Sequence, residues 1–233
     1  PNCLKAADIF EAAAHSSTGS RVALMKLKAA DSLICAMRIS GEGNLLLVDG
    51  TLDSVENKRF WGLHGPRALT LARAAHADLS LARDARAATV EMDAFMYSAS
   101  AKGIIKQALT GTGNEFRRLA EQLVTQHEAF DGAVSHAFLG GFFFVAPWPL
   151  GDKKRAVREF EAAMSISPTT RNAYYLCVGL YKVAQYTRAA KLCKQALTIR
   201  CSGLTEPDYC KRLETESERV LKMAQQAEKR AIS

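Results

Sequence analysis

Catalysis needs nucleophiles, acids, bases or metal ligands at fixed spacing, and Leu47-Val48-Asp49-Gly50-Thr51-Leu52-Asp53-Ser54 comes nearest to such a pattern. Phosphoryl transfer through an aspartyl intermediate uses two aspartates one residue apart ahead of Gly-Thr, one as nucleophile and one as general acid. Leu47 stands at the nucleophile position, so no phospho-aspartyl intermediate can form. The segment reads instead as a turn in which Asp53 or Ser54 caps the next helix. Gly111-Thr112-Gly113 lacks both the third glycine of a dinucleotide loop and the Gly-Lys-Ser/Thr of a phosphate loop, and reads as a helix-to-helix turn. His15, His64, His76, His127 and His136 include no pair four residues apart and no neighbouring cysteine pair, so no zinc site is expected. No Gly-x-Ser-x-Gly elbow or reactive-cysteine signature is present. The expectation is a protein with no catalytic residue, no metal and no cofactor.

Six cysteines, Cys3, Cys35, Cys177, Cys193, Cys201 and Cys210, form no Cys-x-x-Cys pair and mostly fall inside helical patterns, where cysteine packs as a small apolar residue. Reduced thiols in a cytosolic or organellar compartment are expected. Cys201 and Cys210 bracket a short loop, but a bridge there would need an oxidising compartment. The chain opens at Pro1 with no signal peptide in view. Removal of a plastid or mitochondrial transit peptide is one explanation for that start, and an incompletely known N-terminus is another. The longest apolar stretch, 137–150, is broken by Pro147 and Pro149 and falls short of the ~20 residues that cross a bilayer, so no transmembrane span is expected.

The net charge is +7, and it is not evenly spread. Residues 1–150 carry 15 Lys/Arg against 15 Asp/Glu, whereas 151–233 carry 16 against 9. A basic face of that kind meets nucleic acid, anionic lipid headgroups or an acidic protein surface, or is simply solvated.

Helical periodicity dominates the elements that would hold any site. Residues 3–14 and 20–38 read as a helical pair split by a Ser/Thr/Gly turn, and 39–53 as either a short buried extended piece or a core-facing loop. Helices are predicted over 54–82, with a possible break at Gly65-Pro66, and over 85–109. Another is expected from Asn114 as cap to about His127, and a fourth from Asp131 as cap through Val145, stopped by Pro147. Beyond these, Ala156, Phe160, Ala163 and Met164 recur thirty-three residues later as Ala189, Cys193, Ala196 and Leu197. A period in the low thirties with alanine at close-packing positions marks stacked helical hairpins. Pro168 ends one helix, Thr169-Thr170 cap the next over 171–183, and a last amphipathic helix from Glu206 carries Tyr209, Leu213, Val220, Met223 and Ala227 on one stripe. Thr205 with Asp208 is expected to form its capping box. The chain divides into an N-terminal pair with an irregular segment (1–53), middle helices (54–130) and repeats with a capping helix (131–233), read as one continuous all-α domain.

The pattern Ala-x3-Phe-x2-Ala with a later Pro over 156–168, and Tyr-x2-Ala-x6-Ala-Leu over 186–197, resembles the tetratricopeptide repeat family. Together with Ala146-Pro147-Trp148-Pro149-Leu150-Gly151-Asp152, it resembles more narrowly the helical-repeat T-component of TRAP transporters and the related regulator of microtubule dynamics proteins. The resemblance covers residues 130–200. Cys177 replaces a usual glycine and Cys193 a usual aromatic, so the second repeat is degenerate. The resemblance implies an α-solenoid of antiparallel helical hairpins, with a groove or pore that takes a hydrophobic ligand or docks a partner, and no catalysis.

In such stacks the first helix of each hairpin faces the groove, and Arg171, Tyr174, Val178, Tyr181 and Lys182 share one face there by spacing. Phe142, Phe143 and Phe144 with Trp148 form either core or a hydrophobic ligand pocket. The leading expectation is a non-enzymatic scaffold or accessory subunit that docks on a larger complex, peripheral to an organellar membrane in plastid or mitochondrion, or otherwise cytoplasmic. The alternative is a carrier of a small hydrophobic ligand or lipid. Nucleic acid is not expected, because interleaved aromatics at regular repeat positions are missing.

Overall fold

Apolar residues at helical spacing, punctuated by caps, set the backbone. The computed structural model describes residues 2–51, 54–103 and 111–232, and its regular structure is helical apart from one two-stranded hairpin. The all-α expectation holds, and consecutive helices pack on one another as stacked helical repeats do. Contacts divide the chain into two compact units. One comprises the residues up to Gly43 with those from Ser54 to Gln126; the other takes Asn44 to Thr51 and everything described from His127 onward.

The first unit holds α1 (Asn2–His15), α2 (Ser20–Ser40), α3 (Val55–His76), α4 (Ala85–Ser100) and α5 (Thr112–His127). Its core is built from Leu33, Ile34 and Met37 of α2 around Trp61 of α3, whose indole lies 5.5 Å from the Tyr97 ring. Alanines at 68, 72, 75, 87 and 94 let the helices approach closely. At Gly65 a Cβ would sit 2.9 Å from the Ser98 backbone, so the α3–α4 crossing requires glycine. Pro66 does not break α3, which ends at His76 rather than at 82. Ser54 caps α3 by accepting from the Asn57 amide at 3.1 Å, while Asp53, the other expected cap, lies outside the described residues. Asp84 caps α4, which ends at Ser100 rather than at 109; residues 104–109 lie outside the described residues. Helix α5 starts at Thr112, so Asn114 lies inside it rather than capping it.

The second unit holds β1 (Leu46–Leu47) and β2 (Gly50–Thr51), then α6 (Phe130–Val145), α7 (Lys153–Ile166), α8 (Thr170–Lys182), α9 (Tyr186–Ala196) and α10 (Cys210–Ile232). The segment with two open readings is this hairpin, Leu46 opposite Thr51 and Leu47 opposite Gly50, with Leu45, Leu46 and Val48 buried. The thirty-three-residue match has a structural counterpart: Ala156, Phe160 and Ala163 of α7 are buried, and so are Ala189, Cys193 and Ala196 of α9. The Phe160 ring is wedged between α6 and α8. A Cβ at Gly140 would overlap it, and one at Gly179 would lie 3.0 Å from it. Thr169 caps α8 by accepting from the Asn172 amide at 3.2 Å. Helix α10 turns Leu213, Val220 and Ala224 inward as the terminal stripe.

Two expected caps do something else. Asp131, Gly132 and Ala133 have φ of 43°, 66° and 57°, a left-handed kink within the first residues of α6, and the Asp131 carboxylate accepts from the Leu204 amide at 2.7 Å and the Thr205 hydroxyl at 2.9 Å. Thr205 therefore caps no helix. Its hydroxyl is held by Asp131, and a 3-10 turn over Glu206–Tyr209 leads into α10.

The cysteines depart furthest from expectation. All six pair as disulfides: Cys3–Cys35 joins α1 to α2, Cys177–Cys193 joins α8 to α9, and Cys201–Cys210 closes the loop before α10. The helical pattern gave each thiol an apolar face without showing that the facing helix carries its partner. Unreduced protein is expected to take up no alkylating reagent under denaturing conditions; six adducts would overturn the pairing. Replacing both Cys177 and Cys193 by alanine, which opens a loop of separation 16, should cost about 3 kcal/mol in chemical denaturation.

Candidate functional site

The five residues expected to line a groove do not share a surface. Arg171 is 3 % exposed, and Tyr174 and Val178 are fully buried. Tyr181 is half-buried with its ring 5.6 Å from that of Tyr186, and exposed Lys182 reaches Asp49 at 3.4 Å. The correction has a plain cause. Helix α8 packs against α6, α7, α9, α10 and β1, and its Ala173, Leu176, Cys177, Gly179 and Leu180 are buried too. A helix apolar on nearly every side is a core helix, so its polar stripe faces protein.

What that stripe does is hold backbone. Arg171 Nη2 donates to the carbonyls of Asp131 at 2.7 Å and Gly132 at 2.9 Å, and Nη1 lies 3.9 Å from the Asp131 carboxylate. Burial opposes the guanidinium's charge, yet Tyr209, Asp131, Glu206 and Tyr175 together raise its pKa above the ordinary value. Asn172 Nδ2 donates to the carbonyls of Gly132, Ala163 and Ser167 at 2.8, 3.2 and 2.8 Å. Buried Glu206 accepts from the amides of Arg171 and Ser202, and the Thr170 hydroxyl donates to Ile199 O. Tyr174 donates to Leu46 O at 2.7 Å, and its burial pushes the phenol pKa up.

The aromatic run divides. Phe142, Phe143 and Phe144 are buried, with Arg155 over the Phe143 ring at 4.0 Å and Lys153 over the Phe144 ring at 4.4 Å. Trp148 stands in solvent at 90 % exposure, on a turn whose Leu150 and Gly151 amides both donate to Pro147 O at 3.0 Å.

One cluster escaped the sequence reading because its members lie on separate segments. His136 is buried, with Nδ1 2.8 Å from Glu159 and Nε2 3.1 Å from Glu128. Two carboxylates on two ring nitrogens are both satisfied only by the imidazolium, and the Glu159 bond leads in raising the His136 pKa. His76 is similarly raised by Glu91, 2.7 Å away. The Asp49 carboxylate is exposed at the hairpin turn, paired with Lys182 rather than set among catalytic groups. Among the described residues no group of His, Cys, Asp and Glu is placed to hold a metal ion. Compared with family models and with curated proteins, the chain gives no match.

Two outcomes follow from these contacts. Arg171→Ala strips a charge partner from buried Asp131 and should lower the unfolding free energy in urea by about 3–5 kcal/mol; a loss within about 0.5 kcal/mol would place Arg171 outside the structural network. A raised folded pKa means the His136 contribution is complete below the ordinary imidazole value of 6.5 and is lost as pH rises through the folded value. Glu159→Gln should flatten that alkaline decline in a melting-temperature series, and an unchanged profile would assign the decline elsewhere.

Proposed function

We propose that this chain is a non-catalytic helical-repeat interaction protein of the tetratricopeptide type, an accessory subunit or adaptor of a larger assembly. The observation that supports the reading is the thirty-three-residue register, in which the same small and bulky positions of α7 and α9 are buried on helices that both pack on α8. Repeats of this kind are scaffolds whose exterior is free for recognition. Here the polar side chains best placed for chemistry, Arg171, Asn172 and Glu206, are engaged in holding backbone. Three disulfides support residence in an oxidising compartment, such as an organellar or secretory lumen. None of the described helices is long and apolar enough to cross a membrane, so association with a membrane complex would be peripheral. The phenylalanine run that motivated a hydrophobic-ligand carrier is packed into the core and offers no exposed apolar surface.

Gentle affinity purification from the native source, with protein and lipid mass spectrometry on one eluate, tests the reading. Stoichiometric recovery of one set of subunits is expected, and replacing Tyr181 and Lys182 should reduce it more than replacing Lys229. A lone protein carrying a defined lipid would overturn it in favour of a carrier.

A further inference from the structure

Trp148 is the tip of a stiff projection. Its turn is closed by the Leu150 and Gly151 amides on Pro147 O, and by the Asp152 amide on Phe143 O at 2.9 Å. Gly151 has no room for a Cβ against Ala146 O. Among the described residues the indole has no hydrogen-bond or ring partner. Pro147 and Pro149 carry no amide hydrogen, and the Leu150 and Gly151 amides are already used, so of the tip's backbone N–H donors only that of Trp148 would need a new partner if the tip left water.

Directly behind the tip, α7 begins with Lys153, Lys154 and Arg155 and continues to Arg158. Lys154 and Arg158 lie one turn apart on one face and are exposed, and among the described residues neither has a carboxylate partner. Lys153 sits over Phe144, where burial and then neighbouring Lys182 lower its pKa, so positive charge is crowded there. The nearby acids are engaged: Asp152 caps the Arg155 amide, Glu159 holds His136, and Glu161 pairs with Arg188.

We propose that the Pro147-Trp148-Pro149 tip with Lys154 and Arg158 is an interfacial anchor that seats on an anionic lipid surface. Tryptophan settles at the headgroup level, where its ring is shielded and its N–H still finds an acceptor. Each nearby cation adds attraction to acidic headgroups. A convex tip suits a deformable interface that needs no matching pocket, whereas an extended acidic peptide would need a groove. The proposal goes beyond the assembly reading and does not depend on which protein the chain accompanies.

The chain holds two tryptophans, and Trp61 is fully buried, so changes in indole emission report Trp148. Full-length protein mixed with phosphatidylcholine vesicles containing phosphatidylserine is expected to co-sediment at low salt, shift its emission to the blue and be quenched by lipids brominated near the headgroup. Phosphatidylcholine alone should bind weakly. Trp148→Ala should remove the shift and lower partitioning about tenfold, and Lys154→Ser or Arg158→Ser about fivefold each. Circular dichroism confirms that these surface variants remain helical. No co-sedimentation at low salt, or wild-type binding by Trp148→Ala, overturns the anchor. A Trp148 shift with polyglutamate but not with vesicles overturns it in favour of an acidic protein surface. Each of these failures leaves the assembly reading standing, because that is judged from co-purified subunits.

Discussion

A guanidinium and a carboxamide side by side at the start of α8 fasten the second unit. Arg171 reaches the turn at Asp131–Gly132, and Asn172 reaches Gly132 together with the end of α7 at Ala163 and Ser167. The Asp131 and Gly132 carbonyls lie in a left-handed turn, while Ala163 and Ser167 at the end of α7 also accept from the amides of Ser167 and Thr169. A buried carbonyl left without any partner costs on the order of 1–3 kcal/mol. Asp131 then passes the connection on to the 204–205 loop, so one pair of residues fixes how α6, α7, α8 and the approach to α10 meet.

Around that polar anchor the repeat solves one packing problem in two ways. In α7 the space is filled by the Phe160 ring, which demands glycine at 140 and 179 on the helices to either side. At the equivalent position of α9 stands Cys193, too small to fill the same gap by contact, and it is joined to Cys177. Cys177 and Cys193 thus form a single pair. A covalent bond stands where the preceding repeat uses an aromatic against a glycine.

Much of this was legible in the sequence, and the reason lies in how far each determinant reaches. Helix positions, the Ser54 and Thr169 caps, the Pro147 stop and the buried alanines of the repeat are set by neighbours within one or two turns. Spacing put Arg171, Tyr174 and Val178 on one stripe, but a stripe does not reveal what covers it. The roles of Asp131, whose partners lie 40 and 73 residues away, and of His136 between Glu128 and Glu159 depend on tertiary approach. The same holds for the cysteine pairs, which have no local signature when each partner lies on a separate helix.

The hairpin at residues 46–51 adds a temporal constraint. It sits in the chain between α2 and α3, which belong to the first unit, yet Leu46 accepts the buried Tyr174 hydroxyl across a separation of 128 residues. Neighbouring helices can pair soon after they form, because little chain has to be closed between them. The Tyr174 contact must wait for a far longer loop to close. During synthesis the first helices leave the ribosome together with a short strand pair whose binding place does not yet exist. Leu46 therefore waits for α8 to supply its hydroxyl partner, and the second unit closes only by recruiting a segment made long before it.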